Sequence, residues 1–129
     1  LVTAYLVPDE VFLENVRRHV AAGGTVRILT NSYGSTNQPA AHAYYAAARV
    51  RLLEAGAELH ELRGDAWSHV HHRSPGSRTR KLGLHAKVAV FGEDTVLVGS
   101  MNLDPRSMRL NTELGVLIES RELAARIRD

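Results

Sequence analysis

Glycine punctuation most constrains what this chain can fold into. Gly23-Gly24 and Gly56 each stop a helix-like stretch and hand over to an apolar, partly β-branched run. Residues 1–7 read as a strand. Pro8, Asp9 and Glu10 then open a helix, because proline suits its first turn and acids suit its positive end. Phe12, Val16 and Val20 line one face of that helix. Residues 25–30 make a second strand, which ends in the polar loop 31–37. A helix over 39–55 follows, with Ala41, Tyr45, Ala48 and Leu52 on one side, and residues 57–62 form a third strand. Two βα units of this length predict parallel strands joined by right-handed crossovers.

The remainder has a different rhythm. Residues 63–82 show no periodicity, and positions 69–81 carry His69, His71, His72, Arg73, Arg78, Arg80 and Lys81 without an acid. A structureless stretch this long in a small domain is a flexible loop or a functional one. It reads as a solvated linker, as a strip for lipid phosphates, or as a metal site on the three histidines, with Trp67 as its anchor. Strands are expected over 84–91, 95–101 and 112–119, then a short helix capped by Ser120. The expected fold class is α/β: a mixed, mostly parallel-type sheet with flanking helices and a C-terminal antiparallel hairpin. At 129 residues this is one domain.

Composition narrows the function. With 44% hydrophobic and 23% charged residues, the chain can build a core and is not a disordered tail. It has no cysteine, which excludes disulfides, zinc ribbons and thiol nucleophiles. A net charge of +2 is too small to imply a nucleic-acid partner. No run reaches the ~18 apolar residues of a membrane span, and no signal peptide is visible. The chain starts at Leu1 rather than Met and enters a strand at once, as expected of a piece of something longer.

The chemistry concentrates on the hairpin. A two-residue turn at Glu93-Asp94 would set His85 opposite Asn102 and Lys87 opposite Ser100. All four would share one face of an otherwise apolar ribbon, and burying such a cluster without a purpose is costly. Histidine serves as nucleophile or as acid and base near neutral pH. Lysine, asparagine and serine donate to anionic oxygens. The set suits a phosphoryl group stabilised by charge, and without a carboxylate it is a poor magnesium or calcium site. Asn31 and Ser32 end a parallel strand, where ligands of such sheets bind. They either contact a head group or cap their loop. Arg106 reads as a loop salt bridge or a phosphate contact, and His42 as packing.

Leu84-His85-Ala86-Lys87 with Gly99-Ser100-Met101-Asn102 resembles the HxK and GSxN signature of the phospholipase D superfamily. Residues 103–107 and 110–115, together with Leu29-Thr30-Asn31-Ser32, His42 and Tyr45, resemble its bacterial cardiolipin synthase branch. The resemblance covers essentially the whole chain and implies a phospholipase D-like half-domain. It implies a histidine that attacks a phosphodiester and a second histidine, from another motif copy, that protonates the leaving alcohol. His85 would be nucleophile or acid, Lys87 and Asn102 would hold the phosphoryl oxygens, Ser100 would support them, and Glu113 would orient the histidine. No metal or cofactor is implied. The implied partners are a phospholipid, a second motif-bearing half from the same parent chain or a homodimer, and a membrane surface for the parent, with no nucleic acid. The parent would work at the cytoplasmic face of the bacterial inner membrane, the fragment itself being soluble.

The implied activity is phosphatidyl transfer in cardiolipin synthesis. The alternatives are a phosphodiesterase or nuclease of the same superfamily and a catalytically incomplete half that completes a partner. One departure stands out. Gly92 occupies the position of the motif's aspartate, seven residues and roughly 23 Å of strand from His85. The expected consequence is weaker folding at the turn, not lost catalysis.

Overall fold

A computed structural model describes residues 1–65 and 82–129. The notable residues of the basic stretch, namely Trp67, His69, His71, His72, Arg73, Arg78, Arg80 and Lys81, lie outside the described residues. Among the described residues, six strands and four helices run in the order β1 (Val2–Thr3), α1 (Glu10–Ala21), β2 (Arg27–Asn31), α2 (Pro39–Glu54), β3 (Glu58–Leu62), β4 (Lys87–Phe91), β5 (Thr95–Gly99), α3 (Pro105–Arg109), β6 (Gly115–Glu119) and α4 (Arg121–Arg128). The strands form one mixed sheet in the order β3-β2-β1-β4-β5-β6.

The first half follows the glycine punctuation. β1, β2 and β3 pair in parallel. The Asp9 carboxylate caps α1 by accepting from the Phe12 amide at 2.9 Å. Pro39 opens α2 at its first turn. Leu13 and Val16 of α1, Ile28 of β2, and Tyr45 and Leu52 of α2 interlock in one core with Leu6, Ala55 and Ala57. Fully burying each of the larger side chains contributes about 2 kcal/mol, so this cluster dominates the stability of the domain. Gly56 takes φ +89°, the left-handed value that ends α2.

The second half is an antiparallel meander. β4 adds to β1, and β5 and β6 follow in turn. α4 packs against β4 and β5, with Ala124 and Val96 fully buried. The Ser120 amide donates to Asp94 O, and the Arg128 guanidinium donates to Gly92 O. Both ends of α4 are thereby tied to the hairpin loop. Phe91, Val98, Val116 and Leu117 of the meander remain exposed.

Four expectations change here. Phe91 pairs with Thr95, so the hairpin loop has three residues, Gly92-Glu93-Asp94, not two. Gly92 adopts φ +60°, which a glycine takes without strain and other residues resist. Gly92 therefore suits this turn instead of weakening it. The longer loop shifts the register by one residue, and Val88 faces Val98. The pairs His85–Asn102 and Lys87–Ser100 do not form, since a one-residue slip sends alternate side chains to the other face. The strands are also shorter than expected. β4 starts at Lys87, β5 stops at Gly99, and β6 starts at Gly115.

Candidate active site

The polar residues gather where the parallel strands end, despite the changed register. Lys87 stands beside Thr3 of β1. After Gly99 the chain bends out of β5, which frees Ser100 from strand alternation. The Ser100 hydroxyl donates to the Glu113 carboxylate and accepts from the Leu114 amide at 3.0 Å. The Asn111 amide donates to the second Glu113 oxygen at 3.1 Å. These bonds, Ser100's first, hold the Glu113 carboxyl below the usual carboxylate range, and the Lys87 charge adds to the effect. Burial pushes the Lys87 ammonium below its ordinary value, with Glu113 partly restoring it. Lys87 Nζ also donates to the His85 carbonyl at 2.8 Å.

Asn102 follows Ser100 by two residues and is buried. Its Oδ1 accepts from the Tyr5 amide at 3.4 Å. Thr3 Oγ1 donates to Tyr5 O and accepts from the Leu103 amide at 3.3 Å. These bonds dock the segment after β5 onto the chain that continues β1, where Leu6 bridges Leu103. Asn102 is thus held with its Oδ1 turned to the backbone. Its Nδ2 has no protein partner among the described residues.

His85 is exposed, two residues before β4 begins at Lys87 beside β1. Its ring makes no hydrogen bond among the described residues. In particular Glu113 does not orient it. Both Glu113 oxygens accept from Ser100 and Asn111, and Lys87 is near enough for its charge to act on the carboxylate. Lys87, Ser100 and Glu113 are therefore brought together as one group, with His85 joined to it through its own carbonyl.

Asn31 needs the larger correction. It is 3% exposed, and every hydrogen-bonding position of its amide is used inside the protein. It offers nothing to a substrate. Ser32 closes its own loop: its carbonyl accepts from the Ser35 and Thr36 amides, and its hydroxyl reaches Ser35 Oγ at 3.4 Å. Arg106 enters none of the ion pairs among the described residues. Its amide instead completes the Asp104 cap of α3, a helix that Asp104-Pro105 announces in the sequence. His42 sits edge-on between the rings of Tyr33 and Tyr45, as a packing residue would.

Comparison with known proteins now has a geometry to rest on. A family model described as cardiolipin synthase, PLD-like domain matches residues 1–129. The chain is 39% identical over 126 residues to cardiolipin synthase C of Escherichia coli, covering 96% of this chain and 26% of that protein. It is 37% identical over 117 residues to cardiolipin synthase A of Pseudomonas aeruginosa, covering 91% of this chain and 20% of that one. The chain thus spans about a quarter of the curated relatives it matches. The fold resembles Nuc from Salmonella typhimurium, a phospholipase D family member, at TM-score 0.65 and 20% identity over 97% of this chain and 69% of that one. The HxK and GSxN residues, the sheet that carries them and the full-length family match agree: this chain belongs to the cardiolipin synthase, PLD-like domain family.

Proposed function

We propose that this domain supplies one half of a two-histidine active site that transfers phosphatidyl groups in phospholipid synthesis, with cardiolipin as product. The observation that carries the reading is the exposed His85 ring, without a hydrogen bond among the described residues, beside a cluster of Lys87, Ser100 and Glu113. An imidazole nitrogen attacks the phosphodiester phosphorus, a nitrogen–phosphorus bond forms, and the bond to the leaving alcohol breaks. The leaving oxygen takes a proton from a second histidine. An acceptor alcohol then loses its proton to that histidine, attacks phosphorus and frees the first ring. His85 fills one of the two roles. The Lys87 ammonium and the Asn102 Nδ2 hold the non-bridging oxygens, and Ser100 holds the Glu113 carboxylate by its hydrogen bond. The second histidine comes from another motif copy, in the same parent chain or in a second subunit.

One observation favours a lipid over a nucleic-acid substrate. Leu110 and Leu114, on either side of Asn111 and Glu113, are 81% and 75% exposed, and Met101 and Met108 are also open. Acyl chains match such a rim, and a phosphate backbone does not. No helix among the described residues is long and apolar enough to cross a membrane. The test is product analysis with the full-length protein. Phosphatidylglycerol vesicles should yield cardiolipin and glycerol, whereas single-stranded DNA should remain intact. Cleavage of DNA with no lipid product would instead support the nuclease reading. A folded protein inert on both would support the incomplete half.

A further inference from the structure

We infer that Asn31 is a positioning residue that fixes the backbone on which His85 is carried, a role that rests on the phosphatidyl-transfer reading above. Residues 82–86 have no regular secondary structure, and β4 begins only at Lys87. The sheet ladder therefore does not hold His85. One side-chain amide stands in for it. Asn31 Oδ1 accepts from the Leu84 amide at 2.8 Å, and Asn31 Nδ2 donates to the Leu84 carbonyl at 2.9 Å. A neighbouring strand residue would make the same exchange. The clamp is itself anchored, since Nδ2 also donates to Ala4 O at 3.0 Å and Oδ1 accepts from Ser35 Oγ at 2.9 Å. Two backbone groups on Leu84 need opposite ends of the amide, so only one amide orientation satisfies the network.

The clamp bears on His85 from one side, and Lys87 bears on it from the other. Leu84 is fixed by Asn31, and Lys87 is paired to Thr3 in the sheet while its ammonium holds the His85 carbonyl. Only His85 and Ala86 lie between these two fixed points. The side chain of His85 is exposed and makes no hydrogen bond among the described residues, so its direction is inherited from this backbone. A loss of about 1 Å in placement costs on the order of 100-fold in a positioned reaction. Binding of the substrate, which rests on other groups, should be little affected.

The test uses the full-length protein with phosphatidylglycerol vesicles. Asn31→Ala removes the clamp, and Asn31→Asp keeps the acceptor while losing both donor bonds. Ser35→Ala loses a bond to Asn31 yet leaves both Leu84 bonds in place. For Asn31→Ala we expect kcat to fall about 100-fold with KM within about threefold. Asn31→Asp should fall between wild type and Asn31→Ala, and it carries the test if the alanine variant does not fold. Ser35→Ala should keep kcat within about threefold of wild type, although it too removes a buried hydrogen bond. The clamp is overturned if the folded Asn31 variants keep wild-type kcat, or if Ser35→Ala loses as much as they do. A His85→Ala control separates the two readings. If that variant is inactive, the Asn31 series judges the clamp alone; if it stays active, the phosphatidyl-transfer reading fails and takes the clamp with it.

Discussion

In the full-length protein, His85→Ala should lower kcat at least ~10⁴-fold, and Lys87→Ala about 10³-fold, with both variants folded. Removing His85 deletes either the bond-forming atom or the proton donor, and water replaces neither well. Removing Lys87 deletes the charge nearest the phosphoryl oxygens. Lys87→Arg should restore little, because a planar fork does not place its charge where a compact ammonium does. Folding should survive in all three. The His85 ring has no hydrogen bond to lose among the described residues, and Lys87 bears a burial penalty on its charge. Circular dichroism and steady-state turnover on phosphatidylglycerol vesicles check the pair of statements. Loss of activity with loss of fold would make both residues merely structural.

Leu52→Ala should cost about 3 kcal/mol of stability, raising the unfolded fraction on the order of 100-fold. Leu52 is fully buried and packs with Leu13, Ile28 and Tyr45 where α2 meets α1 and β2. Its neighbour Leu53 is half-exposed on the other side of the same helix. Leu53→Ala should cost no more than about 0.5 kcal/mol. Urea denaturation at constant slope measures both. Equal costs would mean that α2 does not dock on the face described.

Local signals announced the first half well. Gly23-Gly24 and Gly56, with the Asp9 cap and Pro39, mark helix ends through backbone and capping physics that act over a few residues. The parallel pairing of β1, β2 and β3 followed from them, and the helix side that holds Tyr45 and Leu52 is the one that packs into the core. The meander was harder to read. Glu93-Asp94 and Gly92-Glu93-Asp94 are both acceptable turns, and only the observed φ of +60° at Gly92 chooses between them. That single choice sets every pair across the hairpin. Ser100 and Glu113 meet despite the shift because both lie outside the regular strands.

The function of Asn31 was hidden for a different reason. Its partner Leu84 is 53 residues away, and a hydrogen bond between a side chain and distant backbone leaves no periodic trace. A polar residue ending a parallel strand suggests a ligand contact, and the structure turns that same residue inward. Glu113 shows the same limit. The family resemblance implied that Glu113 orients the histidine, while in the fold Ser100 and Asn111 donate to its two oxygens.

The stereochemical course at phosphorus tests the account most directly. Each in-line displacement inverts the phosphorus centre, so attack by histidine followed by attack of the acceptor alcohol gives two inversions. A donor phospholipid with a chiral, isotopically labelled phosphorothioate should therefore give product with net retention. Net inversion would mean that the acceptor displaces the leaving alcohol in one step, and no histidine would then carry the phosphatidyl group.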